Sequence, residues 1–77
     1  METLDAVSAL GALAQEHRLA VFRMLVKAGL DGMPAGEIAD ELGVPASSMS
    51  FHLAQLNRAG LVTQRRESRS LIYTADF

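Results

Sequence analysis

Residues 37–60 read EIADELGVPASSMSFHLAQLNRAG: a short amphipathic segment, a break at Gly43-Val44-Pro45, and a second amphipathic segment. On both sides of the break, apolar residues recur every three or four positions, which is the period of an α-helix. Glycine commonly follows the end of a helix, and proline is tolerated only near the beginning of one. The pattern therefore predicts two helices joined by a tight turn, the arrangement called a helix-turn-helix.

The second of these helices is expected over residues 46–59 and has two distinct faces. Met49, Leu53 and Leu56 form its inward stripe. A helix of this kind fits the major groove of DNA, where short hydroxyls and amides bond phosphates or base edges. The simpler alternative is that the serines only cap and solubilise the helix. The candidate DNA-binding residues off the stripe are Ser47, Ser48, Ser50, Phe51 and Gln55.

His52 is a further candidate for DNA contact, and its position is ambiguous. It stands next to the inward-facing Leu53, so a place at the boundary of the core is as well supported as a place in the groove.

After Gly60 the apolar period changes from 3.6 residues to two, which is typical of β-strands. Residues 61–66 and 70–75 flank a polar turn and predict a β-hairpin, the wing of residues 61–76. Arg65, Arg66 and Arg69 cluster towards its tip, where they are expected to contact phosphates or the minor groove. Alternatively, they form an ordinary solvated surface.

The first helix of the helix-turn-helix is expected over residues 35–42, preceded by a very short strand at Met33. Two further helices are expected before it, over residues 4–14 and 16–28. The first of these two is unusually apolar, and we expect Leu4, Val7 and Leu10 to be covered by a second copy in a homodimer. The buried stripe of the second is expected to contain Leu19, Phe22, Leu25 and Val26. The fold class is mainly α with a small β-hairpin: one winged helix-turn-helix domain over residues 1–77, ordered helix–helix–(strand)–helix–helix–strand–strand.

Composition narrows the functional classes. The chain has 77 residues and no cysteine, which excludes a disulfide or a thiolate metal site within it. No apolar run approaches the length of a membrane span and no signal peptide is visible, so we expect a cytoplasmic protein with no membrane partner. The net charge of −2 is unevenly distributed: residues 1–45 carry three basic and seven acidic side chains, and residues 46–77 carry four arginines and two acids. The positive end coincides with the predicted DNA-binding half.

Catalytic chemistry has little support. There is no nucleophile–base pair at an interpretable spacing, no glycine-rich phosphate loop and no pair of histidines at helical spacing. We therefore predict that the chain is not an enzyme and has no catalytic residue, metal ligand or cofactor within these residues.

From Leu10 onward the chain resembles the ArsR/SmtB family of bacterial winged-helix repressors. The Ser-x-Ser-x-His-Leu-x-x-Leu pattern followed by Ala-Gly-Leu-Val is the most specific part. The resemblance rests on residues 17–19, 37–43, 47–53, 59–62 and 72–73.

The resemblance implies a homodimer that binds an inverted-repeat operator in double-stranded DNA, represses its own operon and is released by a small inducer, often a metal or metalloid ion such as arsenite. Many members sense the ion through two cysteines, whose places are taken here by Pro34 and Gly36, which cannot ligate. An inducer would thus be sensed outside these residues. Family dimers also use a C-terminal helix, so we expect the parent chain to continue past Phe77.

Two other interpretations remain open. A winged helix also serves as a protein-interaction module that never binds DNA, since a fold does not define a function. Alternatively, these 77 residues are a fragment that folds as a monomer and binds DNA poorly.

Overall fold

The structure is a computed structural model that describes the backbone of residues 3–76 and the side chains of residues 6–76. Within that range the chain forms three helices, three strands and a 3-10 turn at Gly29–Asp31. The helices are α1 (Thr3–Ala28), α2 (Ala35–Leu42) and α3 (Ala46–Arg58), and the strands are β1 (Met33–Pro34), β2 (Val62–Glu67) and β3 (Ser70–Ala75).

Helix α1 is a single helix of 26 residues, so the prediction of separate helices over 4–14 and 16–28 is wrong. The junction at residues 14–16 contains alanine, glutamine and glutamate, which are good helix formers, and no proline interrupts it. Gly11 costs about 1 kcal/mol in a helix interior, which is too little to end a helix of this length. At 1.5 Å per residue the helix is about 39 Å long, and it accounts for the elongated shape of 46 × 24 × 19 Å.

The second half of α1 packs into the core through Val21 and Leu25, which are fully buried. Phe22 packs against this core and is partly buried. Leu19 and Val26 are exposed, so their predicted place in the buried stripe is wrong. They lie about 160° and 140° around the helix from Val21, because each residue of an α-helix advances about 100°.

The tight turn between α2 and α3 begins at Gly43, which has a φ of 65° and ends α2 in the left-handed conformation. The N–H of Val44 donates to the carbonyl of Ala39 at 3.0 Å, and the Val44 side chain is buried. Helix α2 has the bounds expected from the sequence, and α3 ends one residue before the expected Ala59. The three helices meet around a common core that includes Ile38, Met49, Leu53 and Leu56.

The strands form one antiparallel sheet in the order β1-β3-β2. Strand β3 is central: it pairs with β1 at Tyr73 and Ile72 only, and with β2 along its whole length. Val62 and its partner Ala75 are buried against the helices. The expected fold class, a mainly α winged helix-turn-helix with a small β-hairpin, is confirmed.

His52 is buried in α3, with only 7% of its surface exposed, so the prediction that it contacts DNA is wrong. It lies one turn from both Met49 and Leu56 and therefore shares their inward face. Its ring packs edge-on against that of His17, with 5.3 Å between the ring centroids. Its Nδ1 atom is buried without a hydrogen-bond partner among the residues that the structure describes.

Burial lowers the pKa of His52 below its usual 6.5, and the nearby positive charges of Arg18 and His17 lower it further. The imidazole is consequently neutral in the folded state around neutral pH.

Gly32 lies where β3 crosses the connection between α1 and β1. Its φ of 68° and ψ of −168° fall in a region that is essentially restricted to glycine. A Cβ atom at this position would collide with the carbonyl oxygen of Tyr73 and would lie 2.6 Å from Thr74 Cγ2 and 2.8 Å from Ile72 Cγ2. The sheet can approach this connection only because residue 32 has no side chain.

We expect Gly32→Ala to lower the free energy of unfolding by about 3 kcal/mol, because it combines backbone strain with overpacking against β3. Urea denaturation followed by circular dichroism measures this change. Gly36→Ala is the matched control: a Cβ there meets nothing within 4 Å, and alanine favours the helix, so stability should rise by about 0.5 kcal/mol. Equal effects of the two substitutions would contradict the close approach of β3.

We also expect acid to destabilise the protein through His52. The pKa of His52 is lower in the folded state than in the unfolded chain. Well above pH 6.5 the imidazole is neutral in both states and does not affect the free energy of unfolding. As the pH falls towards and below 6.5, His52 takes up a proton more readily in the unfolded chain, which destabilises the folded state. The free energy of unfolding should therefore decline between pH 7.5 and the folded-state pKa. Urea titrations of wild type and His52→Gln at a series of pH values test this. An identical pH dependence in the two proteins would show that His52 is not the group responsible.

Candidate nucleic-acid interface

The outer face of α3 is the face opposite the core. The exposed residues Ser47, Phe51, Ala54 and Arg58 lie along it. Their spacing of four, three and four positions places them on a single line of the helix surface. Ser47 and Phe51 were predicted from the sequence, whereas Ala54 and Arg58 were missed. The same spacing, combined with the positive charge of Arg58, was the signal that would have identified them.

The remaining predicted residues of α3 lie on its two flanks. Ser50 faces the wing, where it lines a shallow cleft together with Asn57, Gln64 and Tyr73. Ser48 and Gln55 lie on the side of α1: Ser48 is exposed at the edge of one groove, and Gln55 is half-buried in another. The structure thus brings Ser47, Ser50 and Phe51 to the outer and wing-facing surface and places Gln55 away from it.

The N-terminus of α3 opens onto the same surface. Pro45 is the N-cap residue and provides no side-chain hydrogen bond, and the first bond of the helix runs from the N–H of Met49 to the carbonyl of Pro45 at 2.9 Å. The preceding N–H groups of the first turn have no partner within the helix. Together with the positive end of the helix dipole, such groups form a favourable site for an anion such as a phosphate.

Phe51 also contacts the body of the domain. The guanidinium carbon of Arg18 lies 5.8 Å from the centre of the Phe51 ring, and the ring packs edge-on to His52. An arginine above an aromatic face is held by a cation–π attraction. Phe51 therefore has a defined orientation although more than half of its surface is exposed.

The wing separates its three arginines. Successive side chains of a strand point to opposite faces, so Arg66 shares a face with Gln64, which lines the cleft beside α3. Arg69 is exposed in the turn at the tip, next to Ser68, whose φ is 55°. Arg65 lies on the opposite face and bonds to the carbonyls of Leu30 and Asp31.

The surface formed by α3 and the wing is positively charged. Arg58, Arg66 and Arg69 are all exposed there, whereas Glu67 shares the rear face with Arg65 and lies 3.4 Å from it. The basic second half of the sequence thus places Arg58 in the cleft between α3 and the wing and Arg66 on the wing face that borders this cleft.

Residues 6–76 contain no group of three or more histidine, cysteine, aspartate or glutamate side chains placed to hold a metal ion. In the part of the chain that the structure describes, no helix has the length and apolar character needed to cross a bilayer.

Comparison with known proteins places the chain among regulators of transcription. A family model described as a helix-turn-helix domain matches residues 13–65. The transcriptional activator HlyU of Vibrio cholerae is 41% identical over 69 residues, and the putative arsenical resistance operon repressor ArsR of Halobacterium salinarum is 40% identical over 63 residues. These matches cover 90% and 82% of this chain, respectively, but only 61% and 48% of the relatives.

The solved structures agree with this result. The crystal structure of HlyU from Vibrio vulnificus superposes with a TM-score of 0.72 at 39% sequence identity, and the match covers 97% of this chain and 75% of that one. The fold, the basic outer face and these relatives together lead to one assignment. The chain belongs to the ArsR/SmtB family of winged-helix transcriptional regulators.

Proposed function

We propose that the protein is a homodimeric repressor that binds an inverted-repeat operator through α3 and the wing and is released by a small inducer. The observation that carries the proposal is the exposed side of α3, where the first turn has no side-chain cap and where Ser50 and Arg58 line one cleft with Gln64, which shares a strand face with Arg66.

Helix α3 is suited to the major groove, which is about 12 Å wide and admits one α-helix. The hydroxyls of Ser47 and Ser50 are short, so they allow close approach and bond base edges or phosphates. Phe51 offers an apolar surface to a thymine methyl group. Arg58 follows at the far end of the same face, where it reaches a phosphate. The wing then contacts the adjacent backbone through Arg66 and Arg69.

The homodimer is supported by the first half of α1. Val7 and Leu10 are 63% and 67% exposed, and they continue the line of Val21 and Leu25, which are buried further along the same helix. The apolar line is interrupted by His17 and Arg18, and only its second part is covered within the chain. A second copy would cover the first half. Leu4, the third residue predicted at this interface, lies outside the described side chains.

Two-fold symmetry relates the proposed interface to the operator. A symmetric dimer presents two copies of α3, which must lie roughly 34 Å apart to enter successive major grooves on one side of the duplex. We propose that occupancy of such a site blocks transcription and that the inducer, a metal or metalloid ion in the family pattern, is sensed by residues other than these. A regulator of this kind acts on DNA in the bacterial cytoplasm.

We expect Ser50→Glu to weaken binding to the operator by roughly 100-fold, about 2.7 kcal/mol, because the carboxylate would face the DNA backbone without altering the core. Fluorescence anisotropy measures the loss, with a duplex selected by the wild-type protein from a randomised pool. Ala12→Glu is the control, since it places the same carboxylate at an exposed position of α1 about 140° around the helix from Val7 and about 160° from Leu10. Its affinity should remain near that of wild type.

The same variants test repression. With the selected duplex placed at a promoter, the wild-type protein should lower expression of a reporter gene, and Ser50→Glu should restore it. An increase in expression with wild type would overturn the repressor assignment while leaving DNA binding intact. Unchanged affinity of Ser50→Glu would instead contradict the placement of α3 in the groove.

We expect the double substitution Val7→Glu, Leu10→Glu to convert the dimer into a folded monomer, because it places four carboxylates in the proposed interface. Sedimentation velocity measures the change of mass, and affinity for the inverted repeat should fall with it. Leu30→Glu is the control: it introduces one carboxylate per chain at a highly exposed leucine away from this face. A dimer that persists in the double variant would exclude this face as the interface.

A further inference from the structure

Arg65 makes a set of contacts that the other wing arginines do not. Its Nη1 donates to the carbonyl of Leu30 at 3.2 Å, and its Nη2 donates to the carbonyl of Asp31 at 2.8 Å. Its Nε donates to Oε1 of Glu67 at 3.4 Å. All three nitrogens of the guanidinium group are therefore engaged by acceptors of the protein itself.

The two carbonyls belong to the 3-10 turn that extends the C-terminal end of α1. Both carbonyls lie beyond Gly29, whose φ is 68°, so they stand outside the hydrogen-bond ladder of α1 and are available as acceptors. The planar guanidinium group presents parallel N–H groups and can bond both carbonyls at once. Arg65 thus ties the wing to α1 across more than thirty residues of sequence.

The hydrogen bonds of Arg65 lie at the last position where strand β1 still pairs with the wing. Strand β1 pairs only with Tyr73 and Ile72 of the sheet, and Arg65 is the partner of Ile72 on β2. Beyond this register, residues 66–71 pair only with one another. The direction of the tip relative to α3 is consequently set at Arg65.

We propose that Arg65 is a positioning residue for DNA binding: it holds the wing at the angle at which Arg66 and Arg69 reach the phosphates, and it makes no phosphate contact itself. The proposal rests on the proposed function and assigns Arg65 a role different from the phosphate contact that its sequence suggests. Its side chain points to the rear face and is only 42% exposed.

Arg65→Lys is the decisive substitution, because it keeps the positive charge but replaces the planar fork by a single ammonium group. We expect affinity for the selected duplex to fall on the order of tenfold. The control is Arg23→Lys, which makes the same exchange at an exposed arginine of α1 that has no part in the proposed site and should leave the affinity at that of wild type. Wild-type affinity in Arg65→Lys would overturn the proposal, since any cation would then suffice.

The salt dependence separates positioning from direct contact. Each lost phosphate contact reduces the slope of log K against log salt by about 0.9. We expect Arg65→Gln to reduce the slope by about 1.8, the same reduction as in the double variant Arg66→Ala, Arg69→Ala. Adding Arg65→Gln to that double variant should not reduce the slope further. A further reduction of about 0.9 in the double variant would show that Arg65 binds a phosphate directly.

A measurement without DNA distinguishes failure of this inference from failure of the proposed function. Amide hydrogen exchange of residues 66–71 should be faster in Arg65→Gln than in wild type, and unchanged in Arg66→Ala. Unchanged exchange in Arg65→Gln would overturn the positioning role. If the wild type selects no duplex at all, the proposed function fails, whereas the exchange result still reports whether Arg65 holds the wing.

Discussion

The core formed where α1, α2 and α3 meet is the constraint on which the rest of the structure depends. A domain of this size buries only about 60% of the surface of its unfolded chain, so few side chains carry its stability. Met49 and Leu53 of α3 are fully buried against Val21 and Leu25 of α1. Because these contacts define which side of α3 faces inward, they also define which side faces outward. The position of the proposed DNA-binding surface is therefore a consequence of the packing of the core.

The wing depends on a second and more local constraint. The base of the wing is held by the buried pair of Val62 and Ala75. Its strand β3, the middle strand of the sheet, passes so close to Gly32 that no side chain fits there. Neither contact defines the direction of the tip. That role falls to the guanidinium group of Arg65, which joins β2 to the end of α1. Burial thus attaches the wing, and polar contacts orient it.

Apolar periodicity in the sequence was sufficient to predict α2, α3, the turn between them and the hairpin. It succeeded because each of these elements has one buried face and one exposed face, and glycine marks the turn at Gly43. It failed at residues 14–16, where two favourable helical segments were separated although nothing in the sequence ends a helix. Leu19 was placed in the core because its spacing from Phe22 and Val26 is helical, whereas the buried line of α1 runs through Val21 and Leu25.

In the candidate site, too, the sequence predicted some of the positions and missed others. Ser47 and Phe51 were predicted because they lie off the apolar stripe of α3, and Arg58 was missed although its spacing from them is helical. His52 was ambiguous because an imidazole suits both a groove and a core boundary. Arg65 could not be distinguished from Arg66 by composition. Their difference arises from strand alternation combined with the distant carbonyls of Leu30 and Asp31, and a contact between such remote positions leaves no local pattern.

The continuity of α1 connects these observations. The exposed apolar face around Val7 and the carbonyls bonded by Arg65 lie at opposite ends of one helix and its terminal turn, with Val21 and Leu25 anchoring α3 between them. A continuous hydrogen-bonded helix resists bending in a way that two helices joined by a loop do not. In the proposed dimer, helix α1 would therefore set the positions of α3 and of the wing relative to the two-fold axis. The spacing of the DNA-binding elements would follow from one helix rather than from several independent contacts.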